Sequence, residues 1–398
     1  MSKFDIICAG HICFDVIPAL NAPAAGTWFE SLIPGKLIDV GDVTVSTGGP
    51  VSNTGIGLIK LGVKTGLMGK VGDDFFGHAV VERLKPYGAD QSMTVVKGES
   101  TSYTVALAPP KVDRIFLHNR GANNTFGVDD VNYDIVSQCK LFHLGYPPLM
   151  KHLYSDGGRQ LTEIFKRAKA TGVTTSCDMA LPDPNAEAGK ANWDAILKNT
   201  LPYVDLYLPS VEETLYMLDQ DKFWARKKQA AGKDALDFIT VDDCEEVADK
   251  CIQYGAKVVI LKSGHLGMYF RSADKSKFTN FGRLAPKDTT NWSGRQLWEP
   301  AFHVETVASA TGSGDSAIAG FLSAYVRGLN CEDVIRYACA VGGFNVMVFD
   351  AVSGIKSWDE TTAAIKNWDK NQVPIKSAGW KFDAARRLWV GPKDSVLN

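Results

Sequence analysis

Ser309-Ala310-Thr311-Gly312-Ser313-Gly314-Asp315-Ser316-Ala317-Ile318-Ala319-Gly320-Phe321 is the stretch on which the reading of this chain turns. Two glycines flank a serine, an aspartate follows, and a small-residue apolar helix pattern begins at once. The free N–H groups and positive dipole end of a helix N-terminus attract anions. Glycines let an anion come close to the backbone. A carboxylate at that spot would repel a resting phosphate, so its presence suggests work. The work that fits is removal of a proton from a hydroxyl as that hydroxyl attacks a phosphoryl group. The plain alternative is a glycine turn with Asp315 as a helix cap, and the rest of the chain bears on the choice.

Composition excludes several classes. The 398 residues carry 43 Lys and Arg against 45 Asp and Glu, a net charge of −2, with no long basic run. Nucleic acid and an anionic membrane are therefore not expected as partners. At 45% hydrophobic, the chain can bury one large core or two smaller ones. It has no run of about 18 apolar residues, so no membrane span is expected. The first ten residues read as an immediate strand, without the long apolar region of a signal peptide. Eight scattered cysteines form no Cys-x-x-Cys pair, which points to buried free thiols and a cytoplasmic setting. Seven histidines form no His-x-x-x-His pair, which argues against zinc. Gly69-Lys70 and Gly189-Lys190 lack the upstream glycine of a P-loop, and no Gly-x-Gly-x-x-Gly follows the first strand. The P-loop ATPase and dinucleotide readings therefore lack their motifs.

Short β-branched runs alternate with helical patterns. Strands are expected over residues 4–9, 65–71, 141–144, 173–178, 204–208 and 257–261. Helices are expected over 52–61, 73–85, 155–170, 191–199, 211–218, 242–254, 314–327 and 331–349. This alternation argues for an α/β fold, a doubly wound, Rossmann-like and mostly parallel sheet. Such sheets bind ligands beyond the carboxyl ends of their strands. Residues 36–47 and 102–118 alternate apolar and polar side chains and read as two halves of a small antiparallel β lid, or as separate surface hairpins. Residues 220–240 read as a polar surface insertion. A body over 1–368 is expected, with 369–398 as an extension docked on the core through Trp380, Phe382 and Trp389.

A second glycine site, Thr47-Gly48-Gly49-Pro50-Val51-Ser52-Asn53-Thr54-Gly55, opens the first expected helix. Gly48 and Gly49 allow close approach of a ligand, and the Asn53 amide can both donate to and accept from a sugar hydroxyl. The alternative is a tight loop with Asn53 as a helix cap. Asp15 follows the first strand in Gly10-His11-Ile12-Cys13-Phe14-Asp15. A carboxylate there points at the crevice and can accept two hydroxyl hydrogen bonds, unless it is a solvent-facing turn residue.

Taken in order, these segments resemble the ribokinase/PfkB family of carbohydrate and nucleoside kinases. The resemblance rests on Gly10–Asp15, then Gly48-Gly49 with Asn53. It continues through Leu61-Gly62-Val63 and Gly69-Lys70-Val71-Gly72-Asp73-Asp74-Phe75-Phe76-Gly77, then Arg120-Gly121-Ala122-Asn123. Pro209-Ser210-Val211-Glu212-Glu213 with Lys262-Ser263-Gly264-His265-Leu266-Gly267 follows, and Thr311–Asp315 completes it. It spans roughly residues 4 to 366, and the second and last segments are the specific ones. The resemblance implies a ribokinase-like fold with a β lid. It implies Asp315 as catalytic base, with the amides of Gly312, Ser313 and Gly314 as an anion hole. It implies that Asp15, Gly49 and Asn53, with Gly48 beside them, hold substrate hydroxyls. Glu213 matches the acidic residue that organises magnesium through water. Ser263, Gly264 and Gly267 match a loop near ATP, and Asn345 lies on a helix where the family often contacts adenine. Three positions depart from the pattern: Ser210 stands where Asn is common, Ser309 where Asp often begins the last motif, and Lys262 where Thr is frequent. Ser309 puts a monovalent-cation site on that loop in doubt.

The expected function is therefore ATP- and Mg2+-dependent phosphorylation of a sugar or related polyol, at a primary alcohol. A nucleoside acceptor stays open, with Phe14, Trp28, Phe29 and Phe116 as walls for a base. A sugar phosphate would call on Lys111, Arg114 or Arg120. A non-catalytic sugar-binding or regulatory homologue is the reading from another class; retention of Asp315 argues against it. A nicotinamide-dependent oxidoreductase is disfavoured. Val43, Val45, Val105 and Leu107 on the lid suggest a homodimer through exposed edges.

Overall fold

The computed structural model describes residues 3–21, 28, 30, 32–88, 92–109 and 115–395. Phe29, Lys111 and Arg114 lie outside the described residues, as does part of the lid region 102–118.

Fifteen strands are found among the described residues: β1 Ile6–Gly10, β2 Cys13–Pro18, β3 Val43–Gly48, β4 Thr65–Gly72, β5 Ser92–Val96, β6 Tyr103–Leu107, β7 Ile115–Asn119, β8 Leu141–Gly145, β9 Thr174–Cys177, β10 Leu206–Tyr207, β11 Val258–Lys262, β12 Met268–Ser272, β13 Gln296–Glu299, β14 Lys381–Asp383 and β15 Leu388–Val390. Eleven form one sheet in the order β14-β15-β13-β12-β11-β10-β9-β8-β1-β4-β5. From β11 to β5 every pairing is parallel. Parallel strands need helical crossovers, and the crossovers cover both faces. β1 is accordingly buried along its whole length. Ile7 and Ala9 join the core on one face, and Ile6 joins the core on the other, following the two-residue period of a strand.

The parallel strands β1, β8, β9, β10 and β11 deliver their carboxyl ends to one crest. His11, Tyr146, Asp178, Ser210 and Lys262 stand at or just after those ends. Helix Ser313–Val326 arrives at the same crest, packed between helices Pro50–Lys60 and Cys331–Asn345.

The lid is a second sheet in the order β3-β2-β6-β7. Its layout differs from the sequence expectation. The two strand-like regions do not pair with each other: β2 lies between them, antiparallel to β3 and parallel to β6. Asp15, expected just after the first strand, thus lies on an inner strand of the lid. Residues 102–118 contribute an antiparallel pair, β6 with β7. Only Val43–Gly48 of the first region is a strand.

Two further stretches differ. Within 220–240 lies helix Gln220–Ala230, started by Asp219, whose carboxylate accepts from the Lys222 amide at 3.0 Å. Its Phe223 is buried and meets Tyr216 edge-on at 5.2 Å, and Arg226 grips the buried Asp243 through two hydrogen bonds of 2.9 Å, so an aromatic anchor and an ion pair dock an otherwise charged helix. Beyond β11 the chain turns antiparallel through β12 and β13, and β15 and β14 extend that edge. The C-terminal residues are therefore built into the sheet. Asp394 fixes them further by accepting from Arg295 Nε at 2.9 Å. All eight cysteines are buried free thiols. Among the described residues, no helix is long and apolar enough to cross a membrane.

Candidate active site

The loop quoted at the outset turns into its helix through Gly312, whose φ of 68° is in the left-handed region that costs a residue with a Cβ roughly 1–2 kcal/mol. A Cβ there would also strike Ala351. The turn is pinned from behind. Asn345 Nδ2 donates to the Thr311 carbonyl at 3.1 Å, and Ser309 Oγ accepts from the Thr311 amide at 3.0 Å. The Ser313 amide turns back to the Ala310 carbonyl at 3.2 Å, and the helix presents its first N–H groups toward the crest.

Asp315, on the first turn, is 1% exposed. Its partners come from elements far away in sequence. Asn53 Nδ2 donates to Oδ2 at 2.9 Å, the Tyr146 hydroxyl lies 3.0 Å from both carboxylate oxygens, and Thr54 Oγ1 lies 3.4 Å from Oδ1. Burial pushes the carboxyl above its ordinary range; Asn53, Lys262, Tyr146 and Thr54 pull it back. Tyr146 holds its place from a left-handed backbone, φ 62°, a conformation that stores strain and clusters at functional sites. Asn53 Oδ1 is buried without a protein partner, so this amide grips the base with its nitrogen and keeps an acceptor free.

Asp15 approaches from the lid. Its Oδ1 accepts from the Cys13 thiol at 3.2 Å, and a Cβ on Gly48 would collide with its other oxygen. Burial raises its carboxyl to about 6. His11 and His118 bring core and lid together, their Nε2 atoms 3.4 Å apart, and Thr104 Oγ1 meets His118 Nδ1 at 3.0 Å. Burial lowers both imidazoles, His118 to about 4, so this contact is between neutral rings at pH 7. Asn123 stitches the strand exit, donating to the Ile12 carbonyl at 2.8 Å and accepting from its amide at 3.3 Å. Gly49 caps helix Pro50–Lys60, on which Asn53 and Thr54 sit.

On the other side of Asp315 lies a cavity of about 430 Å3, walled by Lys262, Gly264, Gly267, Ser313, Gly314 and the face of helix Cys331–Asn345 that carries Gly342. Ser263 and Asn345 do not line it. The Ser263 amide closes the turn onto the Gly267 carbonyl at 2.8 Å, and Asn345 braces the glycine loop as above. At the cavity floor, Lys262 Nζ donates to Asp178 Oδ1 at 2.5 Å and to the Leu208 carbonyl at 2.6 Å. Glu213 accepts from the Ser210 amide through Oε2 at 2.6 Å, closing a capping box; Ser210 thus caps the helix that carries Glu213. No group of three or more acidic, histidine or cysteine side chains among the described residues is arranged to hold a metal. Glu213, half-buried and outside the cavity lining, offers a single carboxylate, a donor set that fits magnesium keeping most of its waters and taking phosphate oxygens.

The structure thus gathers Asp315, Asn53 and the glycine loop directly, with Asp15 and Gly48 in the lid above and Gly264 and Gly267 around the cavity; Glu213 lies outside the cavity lining. Sequence reading missed Tyr146, Thr54 and Asp178 as neighbours of the base and of Lys262. Tyr146 and Asp178 each follow a strand by one residue, a positional signal available in the sequence. Thr54 carried none beyond adjacency to Asn53.

Residues 3–358 match the model of the pfkB family carbohydrate kinases. The chain belongs to this family. The kinase is 25% identical over 344 residues to the 5-dehydro-2-deoxygluconokinase of Clostridium perfringens, covering 85% of this chain and 86% of that protein. It is 22% identical over 327 residues to the 2-dehydro-3-deoxygluconokinase of Bacillus subtilis, covering 81% and 87% respectively. Among solved structures, the kinase shares its fold with Arabidopsis thaliana ribokinase complexed with ribose and ATP. The TM-score there is 0.66 at 18% identity, covering 91% of this chain and 99% of the other.

Proposed function

We propose that this carbohydrate kinase transfers the terminal phosphoryl group of ATP, with Mg2+, to a primary hydroxyl of a sugar or related polyol. One observation carries the reading: a buried carboxylate, Asp315, stands on the first turn of a glycine-led helix, bonded by Asn53, Thr54 and Tyr146, directly after Ser313 and Gly314, which wall a cavity of about 430 Å3. The acceptor hydroxyl meets Asp315, which takes its proton. Asn53 Oδ1 and Asp15 hold neighbouring hydroxyls. The amides of Gly312 and Gly314 face the phosphoryl group as charge develops on it, and that of Ser313 joins them on leaving the Ala310 carbonyl. Magnesium, held through water by Glu213, supplies charge neutralisation on the donor phosphates. Ser263 and Asn345 shape the ATP site from behind, as braces of its two loops, while Gly264 and Gly267 border it.

Acceptors carrying a carboxylate enter this reading through the relatives named for gluconate derivatives. A nucleoside acceptor is less well served. Phe14 is buried against Phe76, ring centroids 5.0 Å apart, and so packs the lid onto the core. A homodimer through the lid belongs to the same proposal. β3 and β7 are its edge strands; of the residues expected at the interface only Val43 is exposed, Val105 and Leu107 lying on inner strand β6, while Ile115, Phe116 and Leu117 are exposed on β7. A sedimentation result showing a monomer at micromolar concentration removes the dimer.

The test is magnesium-dependent ADP production from ATP across a panel of sugars, sugar acids, polyols and nucleosides, with Asp315→Asn in parallel. Acceptor-dependent turnover lost in the variant supports the proposal. Sugar binding without turnover in either protein assigns the fold to a binding role.

A further inference from the structure

We propose that Lys262 is a catalytic residue, its ammonium donating a hydrogen bond to the phosphoryl group in transit between nucleotide and acceptor. The inference rests on the kinase reading above and adds a charged group that the glycine loop lacks.

Placement comes first. Lys262 ends β11, its side chain is 12% exposed, and it walls the same cavity as Ser313 and Gly314. A Cβ on Gly314 would lie 3.4 Å from Lys262 Cε and 4.0 Å from Nζ. The ammonium is therefore beside the backbone that opens the helix, one residue from Asp315. An anion seated at those amides lies within reach of Nζ.

Valence comes second. An ammonium has three donors. Asp178 Oδ1 and the Leu208 carbonyl take two, and they fix the head group by its back. The third is directed away from both by tetrahedral geometry.

Charge comes third. Asp178, Glu213 and Asp315 all act on Lys262 and hold its proton against the opposing effect of burial. Burial raises all three carboxyls, so any negative charge they carry is costly where a polyphosphate must bind. A fixed cation in their midst offsets that cost, and it is already oriented when charge spreads over the phosphoryl oxygens. A buried ion pair serving stability alone gains little over apolar packing and needs no place at the anion hole.

The rival explanation is that Lys262 exists only to neutralise Asp178, and paired variants separate the two. Lys262→Met removes the donor but leaves Asp178 alone; Lys262→Met/Asp178→Asn removes the donor and the stranded charge together. Both are assayed with ATP, Mg2+ and the best acceptor of the panel, with thermal unfolding alongside. The expected result is a kcat about 10²- to 10³-fold below wild type in both, acceptor KM within about threefold, and no recovery in the double variant even where its melting temperature returns. Recovery of the double variant to within about fivefold of wild type assigns Lys262 to Asp178 and overturns the proposal. If Lys262→Met cannot be produced folded, the double variant alone decides by the same threshold. Wild-type turnover abolished by Asp315→Asn but retained without Lys262 defeats this inference and leaves the kinase reading standing. Absence of acceptor-dependent turnover in wild type defeats both.

Discussion

Asp315 and Asp15 are both buried carboxylates on the acceptor side, yet they are built in opposite ways. Asp315 stands on a helix packed between two others, and every side chain that bonds it comes from the core: Asn53, Thr54 and Tyr146. Asp15 sits on an inner strand of the lid, with the Cys13 thiol and the Thr104 hydroxyl as its donors. A carboxylate that must act on a proton needs fixed geometry and several donors to stay ionised. One that closes over a ligand can tolerate a sparse shell, because the ligand's hydroxyls complete it. The difference teaches that the site divides into a rigid reacting half and an adaptable recognising half.

The largest effect is expected at the rigid half. Asp315→Asn keeps the size of the side chain and one accepting oxygen but loses the base. A fall in kcat of about 10²- to 10⁴-fold is expected, with acceptor KM changed little. Steady-state kinetics check it; a proportionate rise in KM with kcat preserved would return Asp315 to a binding role and dissolve the contrast.

Tyr146→Phe probes the shell of the same residue. The hydroxyl donates to the ionised carboxylate, so its loss raises the Asp315 pKa. A hydrogen bond to a charged group contributes about 1.5–3 kcal/mol, which corresponds to roughly one to two pH units. The acidic limb of the kcat profile should move up by that amount, with a smaller change at its plateau. An unmoved limb would show that Tyr146 only fills space.

These expectations show what the sequence made legible. The glycine loop, Gly48-Gly49 and Asn53 announce themselves because sharp turns and close approaches demand particular residues at adjacent positions. Tyr146, Asp178 and Lys262 meet the site only because β8, β9 and β11 end in register at one crest, and register is a property of the assembled sheet. The lid was half legible. Its alternating segments were visible, but β2 hid as the apparent exit turn of β1, so the pairing of the two regions was misjudged. The charged helix Gln220–Ala230 was masked by composition, since only Phe223 and Ala230 are buried and the Arg226–Asp243 pair completes its docking. β12 and β13 were missed because an antiparallel edge carries no intervening helix to mark it.

Asp15 should show its own pH signature. Its carboxyl is raised from an ordinary 3.8 to about 6. If the ionised form accepts the acceptor's hydroxyls, kcat/KM falls about tenfold per pH unit below 6, through KM. Stability runs the other way. A carboxyl whose folded pKa is raised stabilises the fold fully below the unfolded value, and that contribution is lost as pH rises through about 6. The shift corresponds to about 3 kcal/mol at most. Asp15→Asn should therefore raise stability at pH 8, leave it unchanged near pH 3.5, and weaken acceptor binding at pH 8. Denaturant melts at the two pH values check the sign; equal effects at both would show that the lid carboxylate is well solvated.

The smallest effect is expected at Cys13. Its thiol is the nearest donor to Asp15 and lowers that carboxyl, so Cys13→Ala leaves the charge less well held and raises its pKa. A neutral thiol is a weak donor, and the shift should be below about one unit. The same pH profile of kcat/KM reads it, with kcat itself untouched because no atom of Asp315's shell has changed. A comparable loss of kcat would mean that the lid strand and the helix respond as one body, and the division between a fixed reacting half and an adaptable recognising half would fail at its most sensitive point.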